Sequence, residues 1–198
     1  MSDPDTGANQ AAVNTHCAER QRTSPGHNMT PRVLIPAARI RRRVRQLGRI
    51  LTAELAGHTP LCIPLLDGCF CFAADLLRCI AIPDLQVHFA RASSYLGHNN
   101  AQQEPVLRDL PDVTGRHLLL LDDILDSGAT LDALCRTLAD HGACHITTCV
   151  LLDKNGQRRV PFTADHVGFV IPNRFVVGYG LDARDRFRHL PDICALEP

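Results

Sequence analysis

Residues 118–131 read LLLLDDILDSGATL: four leucines run into two adjacent aspartates, and a third aspartate precedes Ser-Gly-Ala-Thr. A short apolar run of this kind suits a buried strand, although periodicity alone does not separate it from a helix segment. As a strand, it puts Asp122 and Asp123 at its carboxyl end, where open α/β sheets bind ligands. Downstream, TLDALCRTLADHG carries Leu131, Leu134 and Leu138 at helical spacing, with Gly142 as the stop. The stretch reads strand, acidic turn, small-residue loop, helix. Small residues at Ser127, Gly128, Ala129 and Thr130 let successive N–H groups converge on an anion at the helix N-terminus. The carboxylates suit hydroxyls, a divalent cation or developing positive charge instead. A phosphorylated sugar meets both demands.

Two other readings of the acidic strand compete. Apolar residues ending in Asp-Asp also describe the metal-binding strand of nucleotide-hydrolysing P-loop proteins, but that reading needs G-x-x-x-x-G-K-[ST]. The single lysine, Lys154, is followed by Asn155, so the loop is absent. Alternatively, the aspartates only cap the following helix. Three of them within five positions crowd like charges, at a cost that a cation or a polyol must offset.

At 198 residues with 45% hydrophobic side chains, the chain suits one α/β domain with a substantial core. Its 21 basic and 21 acidic residues balance, so no global charge favours nucleic acid or a membrane surface. The nine cysteines are scattered, and Cys69-x-Cys71 lacks a second pair at zinc-ligand spacing, so they read as structural or incidental thiols. The first thirty residues are polar and hold no long apolar run. A disordered tail over residues 1–30, a single domain over 31–198 and a reducing, cytoplasmic setting are expected.

From Pro36 the pattern turns helical, with Ile40, Val44, Leu47, Leu51 and Leu55 at steps of four and three and the basic run RIRRRVR on the same helix. That run reads as a solvated face, with a nucleic-acid patch as the alternative. LCIPLLDG suits a strand despite Pro64, FCFAADLLRCI a helix, and DLQVHFARASSY a strand alternating at Val87 and Phe89. A long polar connection follows, of the length used for lids. CHITTCVLLDK, DHVGFVIP and RFVVGYGLD are three further apolar, β-branched runs. The expected fold is α/β, with a mainly parallel central sheet flanked by helices and a small extra subdomain.

Twenty of the 21 basic residues are arginine, which makes Lys154 at the end of CVLLDK conspicuous. A compact ammonium there can reach a carbonyl oxygen where an arginine fork cannot. Together, LLLLDDILDSGATL, PLLDGCFCFAADLL, ASSY before a long loop, LLDK, VGFVIPNRFVVGYGLD and FRHLP resemble the hypoxanthine-guanine phosphoribosyltransferases, from about Val33 to the C-terminus. The resemblance implies Mg²⁺-dependent transfer of the phosphoribosyl group of phosphoribosyl pyrophosphate (PRPP) to hypoxanthine or guanine, giving IMP or GMP and pyrophosphate. It also implies a hood subdomain built from N- and C-terminal segments, and a homodimer or homotetramer.

Residue by residue, the resemblance gives Asp122 and Asp123 the ribose hydroxyls, Asp126 the N7 proton of the base, and Ser127, Gly128, Ala129 and Thr130 the 5′-phosphate. Lys154 matches the contact to the purine 6-oxo group, Phe175 the stacking aromatic, and Val176 the backbone that reads the ring edge. Asp182 matches a metal-associated carboxylate, with Asp122 and Asp123 as further metal candidates, and Arg188 a pyrophosphate contact. Ser94 and Tyr95 match the start of the mobile lid. From RFVVGYG alone, Phe175 reads as strand core, Asp182 as a turn residue and Arg188 as surface charge.

The chain departs from the pattern at Asp67-Gly68, where the family carries a basic residue before the glycine of its pyrophosphate loop. An aspartate there repels pyrophosphate unless Mg²⁺ bridges the two. Asp67 and the basic helix motivate a second hypothesis, a regulatory or nucleotide- or RNA-binding protein with lost or altered catalysis. A third is an enzyme that prefers xanthine.

Overall fold

The computed structural model describes residues 30–93, 106–107, 110–154, 156 and 158–197. Ser94, Tyr95 and residues 1–29 of the expected tail lie outside them. The four leucines fall in β6 (His117–Leu125), whose strand geometry continues through both aspartates to Leu125 rather than ending before them. Leu119 and Leu121 join the core on one sheet face, and Leu118 and Leu120 the core on the other. An uninterrupted apolar run is what a strand covered on both faces requires.

β6 is central in a seven-stranded sheet ordered β5-β4-β2-β6-β7-β8, with β3 pairing β2. Its members are β2 (Leu61–Leu66), β3 (Gln86–Val87), β4 (Ala90–Ser93), β5 (Val106–Leu107), β7 (His145–Lys154) and β8 (His166–Ile171). All pairs are parallel except β4 with β5. The chain builds outward from β2 in one direction and from β6 in the other. The crevice between their carboxyl ends is therefore the topological switch point, where such sheets take ligands.

Helix α1 (Ala37–Glu54) buries Ile40, Val44, Leu47 and Leu51, as their spacing predicts, and with α2 (Phe70–Leu77) covers the first face. Helix α3 (Ala129–Asp140) packs Leu131, Leu134 and Leu138 on the second, and Gly142 ends that segment at φ 86. The basic run is partly structural, because Arg43 donates to the carbonyls of Val167 and Gly168 in β8. A separate three-stranded sheet, β1 (Thr30–Ile35), β10 (Ile193–Glu197) and β9 (Val176–Val177), unites the two ends of the described chain.

Two local expectations need correction or explanation. The strand expected around Val87 and Phe89 is two short pieces, and both side chains are exposed, at 41% and 52%. Their alternation does not mark a core face. Pro64 accounts for the break. The carbonyls of Pro60 and Cys62 accept from Gln86 and His88 at 3.0 and 2.9 Å, so alternation along β2 aims the position of Pro64's missing N–H to the same side. There the partner changes: β3 pairs Leu61 and Cys62, whereas β4 pairs Leu65 and Leu66.

Leu120, fully buried in β6, tests the two-faced core. Leu120→Ala should lower unfolding free energy by about 2–5 kcal/mol in urea titrations; a loss under about 1 kcal/mol would mean the second face is loosely packed.

Candidate active site

The carboxyl ends of β2 and β6 surround a cavity of about 370 Å³ lined by Asp67, Gly68, Asp123, Ile124, Lys154, Phe175, Val176, Leu181, Asp182 and Arg188. Eight of these are candidates named from the sequence, and Ile124 and Leu181 add an apolar wall. The crevice is held together by absent side chains. A β-carbon on Gly68 would stand 1.7 Å from Oδ2 of Asp123, and one on Gly180 would stand 2.2 Å from the carbonyl oxygen of Gly68. Gly180 also sits at φ 100, a conformation open to glycine at little cost.

Asp122 and Asp123 are tucked into the end of β6, with Oδ1 of Asp122 accepting from the Asp123 N–H at 3.0 Å. Burial pushes the Asp122 carboxyl well above the usual carboxylate range, and the neighbouring Asp123 adds to the rise. Burial raises Asp123 as well, against hydrogen bonds from Asp122 and the local backbone and the charge of Arg188. Neither makes an ion pair among the described residues. A half-buried carboxyl pair of this kind gains from hydroxyl donors or a cation.

Asp126 and Lys154 come together from adjacent parallel strands, with Lys154 Nζ donating to Asp126 Oδ2 at 2.9 Å. The lysine is nearly enclosed while Asp126 stays half exposed beside the cavity. Arg158, which sequence reasoning passed over, fixes this arrangement from behind. Its Nη1 donates to the carbonyls of Leu125 and Asp126 at 3.1 and 2.6 Å, its Nε to Phe162 at 3.2 Å, and its Nη2 pairs with Asp153.

Ser127, Gly128, Ala129 and Thr130 form the turn into α3, adjacent to the cavity rather than in its lining. Gly128 takes φ 82, and a β-carbon there would meet the Val160 carbonyl at 2.8 Å. The Ser127 carbonyl accepts from Arg159 and Val160, and its hydroxyl from the Ala129 N–H at 3.3 Å. The loop is thus braced from the far side, with the helix N-terminus left for an anion.

Phe175 is 54% exposed on the cavity, not in the core as its strand context alone suggests, while the neighbouring Val176 is buried. Asp182 is both a turn residue and a site residue: Oδ2 accepts from the Asp185 N–H at 2.8 Å, and Oδ1 pairs with Arg188 at 2.8 Å. Arg188 in turn donates to the Gly180 carbonyl at 2.7 Å. Across the mouth, Asp67 pairs with Arg91 of β4, a second residue that sequence reasoning passed over. Arg91 lies 24 positions from its partner, and only the parallel register, Leu66 opposite Arg91, joins them.

Residues 37–184 match the family profile described as phosphoribosyl transferase domain. The chain is 40% identical over 166 residues to hypoxanthine phosphoribosyltransferase of Salmonella typhimurium, covering 82% of this chain and 93% of that protein. It is 42% identical over 174 residues to the bifunctional protein TilS/HprT of Listeria innocua, covering 87% of this chain but spanning only 27% of that protein's length. The crystal structure of a hypoxanthine phosphoribosyltransferase from Staphylococcus aureus superposes with a TM-score of 0.79 at 32% identity, covering 89% of this chain and 96% of the other. These likenesses mean that the chain belongs to the phosphoribosyl transferase family, on its hypoxanthine-guanine branch.

Proposed function

We propose that this chain is a purine-salvage enzyme that transfers the 5-phosphoribosyl group from PRPP to hypoxanthine or guanine, giving IMP or GMP and pyrophosphate. The observation that carries the reading is the Lys154–Asp126 pair, 2.9 Å apart at the cavity. A 6-oxopurine presents its O6 and N7 side by side on one edge. Lysine is a donor only, and an ionised carboxylate an acceptor only. Lys154 therefore suits O6 and Asp126 an N7–H, whereas the 6-amino group of adenine would meet a second donor. As N9 attacks C1′ and the bond from C1′ to pyrophosphate breaks, the imidazole ring gains positive charge, and Asp126 takes the N7 proton.

The other roles follow the chemistry of each position. The exposed Phe175 ring offers a face for the base, the backbone at Val176 its edge, the Ser127–Thr130 turn the 5′-phosphate, and the Asp122–Asp123 pair the ribose hydroxyls. The residues suit Mg²⁺ as well: Asp122, Asp123 and Asp182 offer hard carboxylate oxygens, the first two half-buried and without an ion pair among the described residues. No cluster of three or more His, Cys, Asp or Glu is gathered for a metal among the described residues, in keeping with an ion that takes one or two carboxylates and completes its shell with phosphate oxygens and water. Bound with PRPP, Mg²⁺ would supply charge neutralisation of the departing pyrophosphate. Ser94 and Tyr95 would begin the lid, with residues 31–198 as the catalytic domain and 1–30 as a tail. A cytoplasmic homodimer or homotetramer completes the proposal; no helix among the described residues is long and apolar enough to cross a membrane.

A PRPP- and Mg²⁺-dependent assay with hypoxanthine, guanine, xanthine and adenine side by side should show nucleotide formation with one or more 6-oxopurines and none with adenine. Asp126→Asn should cut turnover about 100-fold with little change in PRPP affinity; near wild-type turnover would remove Asp126 from proton transfer. Lys154→Ala should raise KM for the base about tenfold or more, and an unchanged base response would sink its contact to O6.

Asp122→Asn should trade function for stability. Its carboxyl is raised above the unfolded-state value, so ionising it costs the folded state, and wild-type stability falls as pH climbs through that raised pKa. The amide keeps the acceptor for Asp123 N–H and never ionises. Its melting temperature should exceed wild type by about 3 °C at pH 8 and converge with it towards pH 4, while PRPP affinity drops about tenfold. An equal advantage at both pH values would remove ionisation as the cause.

A further inference from the structure

We propose that Arg91 supplies the cation for pyrophosphate that position 67 lacks, with Asp67 as the tether that holds it at the cavity mouth. The inference rests on the phosphoribosyltransferase reading and goes beyond it, because the residue is not one the family's motifs point to. Asp67 follows β2 directly and lines the cavity. Arg91 sits opposite Leu66 in the neighbouring parallel strand, which brings its side chain alongside the residue that follows Leu66. Both Nε and Nη2 of Arg91 donate to one oxygen, Oδ1 of Asp67, at 3.1 and 2.8 Å. The Nη1 group and the other Asp67 oxygen have no partner among the described residues.

Stability does not account for the pair. The two side chains are 71% and 54% exposed, and exposed ion pairs contribute little to folding. Its geometry does account for the departure at Asp67. An unpaired carboxylate at the mouth would oppose a polyanion, whereas a carboxylate capped by guanidinium holds a donor fork suited to phosphate oxygens beside the same loop. Arg188 is mounted in the same manner, on Asp182 and the Gly180 carbonyl. Gly180 packs against the Gly68 carbonyl, so the two mountings adjoin. The cationic contribution expected at position 67 is thereby moved one strand over, from the loop to β4.

The direction of the Asp67→Asn effect separates tether from obstacle. Affinity for magnesium pyrophosphate is read by calorimetry, and KM values for PRPP and the purine by steady-state kinetics. The expected results are about tenfold weaker pyrophosphate binding in Arg91→Gln, a matching rise in KM for PRPP and an unchanged KM for the purine. Asp67→Asn should weaken binding about threefold, since the arginine loses its mount. Asp67→Lys combined with Arg91→Gln should recover most of the affinity, because the charge returns to the loop. Wild-type affinity in Arg91→Gln, tighter binding in Asp67→Asn, or no pyrophosphate binding by the wild-type protein would overturn the inference. A wild-type protein that binds magnesium pyrophosphate but forms no nucleotide would instead sink the catalytic reading, with the Arg91 comparison still decided by calorimetry.

Discussion

The carboxylate of Asp123 lies against the backbone of Gly68, and the rest of the crevice depends on that contact. It joins the carboxyl ends of β2 and β6, the two strands at which the chain reverses its direction of sheet building. A β-carbon at position 68 would fall within bonding distance of the carboxylate oxygen, so the loop after β2 could not close over the acids. On its other side the same glycine meets Gly180, which brings in the segment that carries Asp182 and Arg188. Three stretches far apart in sequence are thus set at fixed spacing by two missing side chains. Filling position 68 would displace the Asp123 carboxylate, and filling position 180 would force the segments apart, because the Gly68 backbone occupies that space.

The distribution of charge around this contact follows a rule. Asp126 has Lys154, Asp182 has Arg188, Asp67 has Arg91 and Asp153 has Arg158. Asp122 and Asp123 have no such partner among the described residues. Desolvation raises both carboxyl groups, a penalty that hydroxyl donors or a cation would relieve. A fold optimised for stability alone would not place two carboxyls side by side at a strand end. On the proposed reading, a ribose diol or a divalent cation would remove the penalty on binding, and part of the ligand's interaction energy would come from relieving it.

Much of this was legible in the sequence where local pattern and chemistry coincide. The leucine run indicates a buried strand, the leucines of 131–138 the helix that follows it, and the spacing after Pro36 an amphipathic helix. Lys154 stood out because every other basic residue is arginine. What escaped were relations between strands. Val87 and Phe89 alternate as a core face would, but Pro64, on the adjacent strand, removes the ladder donor that a continuous partner would need. Asp67 looked like an uncompensated charge because its partner is fixed by register, not by proximity in sequence. Phe175 has the context of a core residue, and only the placement of β9 at the edge of the cavity leaves its ring exposed.

Arg158 shows how such relations reach the chemistry. Base recognition in the proposed reaction requires a donor and an acceptor at the spacing of O6 and N7, and the two side chains come from different strands. Parallel pairing sets the coarse distance, with Leu125 opposite Asp153 at the last rung of β6 and β7. Beyond that rung no ladder bond fixes Asp126, which lies in the turn towards α3. The Arg158 guanidinium takes over: it binds the carbonyls of Leu125 and Asp126 on one side and the Asp153 carboxylate on the other. Its planar fork spans both strand ends, which the single ammonium of a lysine would not. On the proposed reading, selectivity for a 6-oxopurine would rest as much on a half-buried side chain behind the site as on the two groups that would touch the base.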